Sequence, residues 1–250
     1  MALRTFLDGA LFAERLAGPG DEQPLLVALH GWRRDRSDLA AVVAGRDAVL
    51  FDLPGFGASP PPSVAWGSAE YAAQVASALD ALAPGRPVTL VCHSFGGRVG
   101  VHLAAARPDL VGGLVLCGVP LLRLTPAYRP PLGYRIVRWG HRRKLVPDAV
   151  MERLRRRNGS ADYLAATGVM RDVFVKVVNE TYEPQLRATA CPVAFVWGER
   201  DTAAPVGIAE AAKAMVPRVA SYEVIDTGHD VHRTHPEAFA RAIAAVEAAP

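Results

Sequence analysis

Short apolar runs alternate with longer stretches of helical periodicity along most of the chain. The runs at 25–29, 48–51, 88–91, 114–116, 193–197 and 222–225 are partly β-branched or aromatic. Such continuous runs predict strands covered on both faces rather than half-exposed ones. Residues 5–16 read as a strand pair turning at Asp8-Gly9. Helices are predicted over 68–83, 96–106, 206–215 and 236–248. Ser68-Ala69-Glu70 and Pro236-Glu237 place a capping oxygen, a proline or an acid where the first free N–H groups of a helix need partners. Strands alternating with helices predict an α/β fold, with a mainly parallel sheet flanked by helices and right-handed crossovers.

The rhythm breaks between residues 120 and 189, where helical fragments occur without a convincing strand. An insertion there, after the sixth predicted strand, is expected to form a helical lid over the carboxyl ends of the strands, where open α/β sheets bind ligands. The core is then 1–119 and 190–250, with 120–189 as an insertion rather than an independent domain.

The 250 residues suffice for one such domain, and a half-hydrophobic composition excludes wholesale disorder. The longest uncharged stretch, 53–69, is rich in Pro, Gly and Ser, which excludes a membrane span. Asp8 and Glu14 interrupt the N-terminal segment before an apolar signal region forms, so no secretory signal is expected. Three cysteines, an odd number, argue for a reducing compartment and a cytoplasmic location. The net charge is +3, yet 121–160 carries eleven Arg or Lys against two acids, Asp148 and Glu152. The remainder of the chain is therefore net negative.

The chemistry concentrates at strand ends. Val88-Thr89-Leu90-Val91-Cys92-His93-Ser94-Phe95-Gly96-Gly97 takes a strand directly into a helix through one serine. This resembles the nucleophile elbow of the α/β-hydrolase family, a strained turn that lifts a serine hydroxyl clear of the sheet. Small residues two before and two after the serine let strand and helix nearly touch. Gly96 fits, and Cys92 stands where the usual motif has glycine. Asp52-Leu53-Pro54-Gly55-Phe56-Gly57-Ala58-Ser59 is similar to the D-x-P-G-x-G-x-S loop of the same family.

The resemblance spans essentially 1–119 and 190–250, and it implies roles for further residues. Ser94 would be the nucleophile and His229, in Asp226-Thr227-Gly228-His229, the general base. Asp201, in Trp197-Gly198-Glu199-Arg200-Asp201, would orient that base, with Glu199 as its competitor. The order Ser94, Asp201, His229 is the order of this family. Leu29-His30-Gly31-Trp32 would be the oxyanion loop, with the backbone N–H groups of Trp32 and Phe95 facing the developing charge. His30, Trp32, Met170 and Phe174 are candidates for lining the substrate pocket. The apolar positions Val169, Met170, Val173, Phe174 and Val177 recur at helical spacing and face either the pocket or the core. Serine at the elbow separates the chain from epoxide hydrolases and haloalkane dehalogenases, which use aspartate there.

The implied activity is carboxylic ester hydrolysis through an acyl-serine. Thioester, lactone or carbon–carbon hydrolysis, acyl transfer and a non-hydrolytic receptor role stay open on the same machinery. No His-Glu-x-x-His, paired Cys-x-x-Cys, dinucleotide or phosphate-loop pattern occurs, so neither cofactor nor metal is expected. Nucleic acid is not an expected partner, because no aromatic residues interleave with the basic runs. The basic segment (Arg123, Arg129, Arg135, Arg138, Arg142, Arg143, Lys144, Arg153, Arg155, Arg156 and Arg157) is either a solvated face or a surface for an acidic partner. The loops are similar to those of pimeloyl-acyl-carrier-protein methyl ester esterases. That likeness implies an acidic acyl-carrier protein or an anionic substrate there, beside a small-molecule ester.

Overall fold

The computed structural model describes residues 2–18, 24–124, 132–158 and 160–249. Strands β1 (Ala2–Phe6) and β2 (Leu11–Leu16) form the expected hairpin. Its turn centres on Leu7 and Asp8, both left-handed at φ +54°, with Gly9 following at φ +87°. Then come β3 (Leu26–Leu29), a 3₁₀ turn at Arg36–Leu39, β4 (Ala48–Asp52), α1 (Ser68–Leu82), β5 (Val88–His93), α2 (Phe95–Ala106) and β6 (Val111–Cys117). Between β6 and β7 the described residues form α3 (Leu132–Arg142), α4 (Asp148–Asn158), α5 (Ala161–Ala165), α6 (Gly168–Val177) and α7 (Glu183–Ala188), with no strand. The chain closes with β7 (Val193–Gly198), α8 (Val206–Lys213), β8 (Val219–Ile225), α9 (Val231–Thr234) and α10 (Pro236–Ala248).

The eight strands form one sheet in the order β1-β2-β4-β3-β5-β6-β7-β8. The β1–β2 and β2–β4 pairs are antiparallel and the others parallel. Successive side chains of a strand point to opposite faces, and both faces are buried along β3 to β7; β8, at the sheet edge, is half-buried to exposed throughout, so the run at 222–225 is not covered on both faces as expected. Val27, Leu29, Leu90, Leu114, Phe195 and Trp197 pack with α1, α2 and α8. Leu26, Ala28, Val91, Val115, Ala194 and Val196 pack with the 3₁₀ turn and α10. That double burial is why the strands read as continuous apolar runs. On α10 the stripe Ala238, Phe239, Ala242, Ile243 and Val246 is buried, at the spacing of one helix face.

Parallel strands send their carboxyl ends to one edge of the sheet. The segments following β3, β5, β6, β7 and β8 therefore converge, and they carry Gly31 and Trp32, Ser94, Gly118, Asp201 and His229. No helix among the described residues is long and apolar enough to cross a membrane.

Candidate active site

The β5–α2 junction is sharp enough to force Ser94 to φ +49° and ψ −111°, outside the ordinary regions for a side-chain-bearing residue. Its neighbours hold it there. The Ser94 N–H donates to the Cys117 carbonyl at 2.9 Å, and the Gly96 N–H donates to the His30 carbonyl at 2.9 Å. A Cβ on Gly96 would drive into the Leu29 carbonyl, so glycine is required by the approach of α2 to β3. Cys92 is accommodated differently. Its sulfur lies against Gly100, one turn into α2, where a Cβ would come within 2.7 Å of it. Burial holds the Cys92 thiol protonated by raising its pKa.

Asp201 and His229 arrive from β7 and β8. The Ala203 and Ala204 N–H groups donate to Asp201 Oδ1 at 2.8 and 2.9 Å, and Oδ2 lies 2.7 Å from His229 Nδ1. The Asp201 side chain is fully buried and His229 is partly exposed. Of the two acids weighed from the sequence, Asp201 meets the imidazole, while Glu199 is exposed. Gly118 closes the floor at φ +57°; a Cβ there would lie 3.0 Å from the His229 ring and 3.1 Å from Asp201 Oδ2. His235 caps α10 rather than joining this group, and its Nδ1 lies 2.9 Å from Thr234 Oγ1.

Ser94 and His229 line the same cleft, of about 430 Å³, with Gly31, Trp32, Phe95, Phe174 and Val177. Gly31 lies over the serine, since a Cβ on it would come 3.5 Å from Ser94 Cβ. Among the described residues, no acceptor takes the backbone N–H of Trp32 or of Phe95. The Trp32 ring packs against Phe56, Phe95 and Phe174 at centroid distances of 4.9, 5.3 and 5.1 Å, making one apolar wall.

Two pocket candidates sit elsewhere. His30 is fully buried beneath the loop, accepting the Leu53 N–H at Nε2 (3.0 Å) with Nδ1 2.7 Å from the Gly31 carbonyl. Burial lowers its pKa despite that bond to Gly31, so it pins the 52–59 loop to β3 as a neutral ring and does not line the cleft. Met170 packs over Gly55 and is likewise absent from the lining. Helix α6 divides its apolar face between the two expected roles. Val173 belongs to the core, Phe174 to the cleft, and Val177 to both. Arg98 donates to the Val177 carbonyl, and Lys176 meets Glu70 at 2.8 Å, so α6 is tied to α2 and α1.

Of the basic segment, Arg123 donates to Asn179 Oδ1 at 3.0 Å, and Arg143 stacks 4.1 Å over the Trp139 ring. Arg135, Arg138, Arg142, Lys144 and Arg153 are exposed. None of these lines the cleft. Arg129 lies outside the described residues, as do the side chains of Arg155, Arg156 and Arg157.

Sequence reasoning missed Gly118 and a buried group of Asp38, His93 and His232. Their ligand-type atoms lie within 4.8 Å of one another, the one such grouping among the described residues. Gly118 is one glycine among 22, and Asp38 sits in a polar run whose partners are up to 195 positions away, so neither carries a local signal.

Comparison with known proteins bears on the family and the fold. The alpha/beta hydrolase family matches residues 26–242. A pimeloyl-[acyl-carrier protein] methyl ester esterase of Chromobacterium violaceum is 28% identical, covering 94% of this chain and 96% of its own length. Among solved structures, a hydrolase from Pseudomonas aeruginosa has a TM-score of 0.71 at 21% identity, covering 99% of this chain and 98% of its own. An enol-lactonase from Burkholderia xenovorans has a TM-score of 0.68 at 20% identity, covering 94% and 95%. With the family matched over most of its length, and with its sheet order and strained serine turn, the chain belongs to the alpha/beta hydrolase family.

Proposed function

We propose that the protein is a carboxylic ester hydrolase working through a Ser94–His229–Asp201 triad. The observation that carries this reading is the Asp201–His229 pair at 2.7 Å opening onto the cleft that also holds Ser94. With Nδ1–H donated to Asp201, His229 presents a basic Nε2 towards the cleft. It takes the Ser94 proton as Oγ attacks the ester carbonyl, and a tetrahedral oxyanion forms. The Trp32 and Phe95 N–H groups receive that charge without reorganising, because neither is taken by an acceptor among the described residues. His229 then passes the proton to the leaving alcohol. Water, deprotonated by the same imidazole, releases the acid from Ser94.

The wall of Trp32, Phe95 and Phe174 favours an apolar acyl group of modest size. Helices α3 to α7 act as the lid expected from the sequence, with α6 supplying Phe174. Three free, buried thiols are in keeping with a cytoplasmic location. The test is hydrolysis of p-nitrophenyl esters from acetate to dodecanoate. The expected result is turnover with an optimum at short to medium chains, and flat inactivity across the series would overturn the reading.

A carrier-linked ester is a second reading, and the placement of the basic segment favours it. Arg135, Arg138 and Arg142 are exposed, have no acidic partner among the described residues, and stand outside the cleft. There they suit an acidic protein docked on the surface better than a small anion bound within. Reversing all three to Glu should lower kcat/KM about tenfold on an acyl-carrier-linked ester and flatten its salt dependence. Turnover of p-nitrophenyl butyrate should be unchanged. Equal losses on both substrates, or none on the carrier-linked one, would remove the carrier from the account.

A further inference from the structure

Asp38 lies in the 3₁₀ turn after β3, with its side chain 1% exposed. Groups from three different segments converge on its carboxylate, a backbone N–H and two imidazoles besides the Arg233 and Arg34 guanidiniums. The Gly31 N–H donates to Oδ2 at 3.3 Å, His93 Nδ1 lies 3.2 Å from the same oxygen, and His232 Nε2 lies 3.1 Å from Oδ1. Each partner neighbours a group of the reaction. Gly31 precedes Trp32, His93 precedes Ser94, and His232, in α9, lies three residues past His229. The rings also touch, with His93 4.2 Å from His232 and 4.9 Å from His229 between centroids.

A metal site is the other use for an aspartate and two histidines, and the surroundings disfavour it. Arg233 and Arg34 already face Asp38 Oδ1 at 3.4 and 3.8 Å, so a cation would meet two cations. A histidine bound to metal through one nitrogen keeps an N–H on the other, which normally finds an acceptor. Here, among the described residues, His232 Nδ1 is buried without a hydrogen-bond partner, and His93 Nε2 has no acceptor nearer than Asp230 Oδ1 at 3.9 Å, beyond hydrogen-bond reach. As hydrogen-bond donors to Asp38, the rings leave only lone pairs there, the cheaper group to strand. Burial lowers the His93 pKa against the pull of Asp38, so the ring is neutral. Burial alone would raise the pKa of Asp38, but bonds from the His232 and His93 rings outweigh it and hold the carboxyl well below its usual range. The hub is thus one buried anion served by converging donors.

We propose, on the ester-hydrolase reading above, that Asp38 is a positioning residue that locks the oxyanion loop, the serine turn and the histidine loop into one register. It touches no reacting atom and acts through Gly31, His93 and His232. A carboxylate suits the task because its two oxygens accept in several directions at once. An amide keeps one acceptor and turns a donor towards another donor. The lock matters in the transition state, where the Trp32 N–H must meet an oxyanion, more than in substrate binding.

The experiment compares wild type, Asp38→Asn, Asp38→Ala and Ser94→Ala on p-nitrophenyl butyrate, with phenylboronic acid as a tetrahedral probe. Val246→Ala, in the α10 core, serves as a destabilised control with an intact site. Asp38→Asn should lower kcat about tenfold and Asp38→Ala about a hundredfold, with KM within threefold of wild type, a loss comparable to that of one oxyanion donor. The boronate inhibition constant should rise in parallel. If Asp38→Ala does not fold, Asp38→Asn alone carries the test. Either kcat and boronate affinity within twofold of wild type, or losses no larger than those of Val246→Ala at equal melting temperature, overturn the role given to Asp38. Ser94→Ala at wild-type turnover overturns the ester-hydrolase reading and Asp38 with it. Inactive Ser94→Ala beside unimpaired Asp38→Asn overturns Asp38 alone.

Discussion

Ser94→Ala is expected to lower kcat on p-nitrophenyl butyrate by roughly 10⁴- to 10⁶-fold, the range for losing a triad nucleophile. The substitution removes one oxygen and leaves the Asp201–His229 pair, the Trp32 and Phe95 N–H groups and the cleft in place. A small residual rate over water should therefore persist from the oxyanion donors and substrate binding. Alanine meets the same steric objection at φ +49° as serine, so the turn is no more strained than before. The Ser94 N–H bond to the Cys117 carbonyl is a backbone bond and survives. Stability should change by less than about 1 kcal/mol, as for substitutions that open no sizeable cavity and break no network. Circular dichroism and thermal melting check the fold while ester hydrolysis checks the chemistry. A folded variant with wild-type turnover would remove Ser94 from the mechanism. A phosphonate ester should label wild type at Ser94 and fail to label the variant.

The strands and the serine turn were legible because their signals are local. A strand buried on both faces must be apolar at consecutive positions, and β3, β7 and β4 as far as Phe51 are. Strand β6 begins earlier than its apolar run, at Val111, because Gly112 and Gly113 interrupt the pattern without interrupting the backbone pairing. The Asp8-Gly9 pair marks the antiparallel hairpin, although the turn itself centres one residue earlier, on Leu7-Asp8. What escaped was long-range. Asp38 reads as one more charge in a polar stretch, and only the fold brings it to His93 and His232. Cys92 departs from the motif, and only the packing of α2, where Gly100 leaves room for its sulfur, explains how it is accommodated. His30 neighbours the oxyanion loop and so reads as a pocket residue, but the buried Leu53 N–H claims its ring. Adjacency in sequence marks the loop and leaves the direction of each side chain open.

Gly96→Ala is the substitution expected to cost most in stability. Helix α2 approaches β3 so closely that the Gly96 N–H bonds to the His30 carbonyl at 2.9 Å. An added Cβ would overlap the Leu29 carbonyl and come within 2.8 Å of the His30 oxygen. Both obstacles are backbone, so no rotamer relieves them. Either α2 withdraws and gives up that hydrogen bond, or the exit of β3 bends and carries Gly31 and Trp32 with it. Overpacking in a core typically costs 1–3 kcal/mol, and loss of a backbone bond adds to that. A total of about 3–5 kcal/mol follows, a large part of a normal folding free energy. For a domain of this size that lowers Tm by roughly 10 °C or more. Gly85→Ala separates the contact from backbone strain, since Gly85 lies at φ +70° with open space where its Cβ would go. It should cost only about 1 kcal/mol, the conformational penalty alone. The two substitutions add the same methyl group, and only at Gly96 does it strike the strand that leads into the oxyanion loop. Differential scanning calorimetry of both variants decides the matter. Equal shifts in Tm would mean that α2 and β3 are not held in this contact. If Gly96→Ala instead folds with a Tm near wild type but loses turnover, the strain has been absorbed by the Gly31–Trp32 loop, and the close approach serves catalysis more than stability.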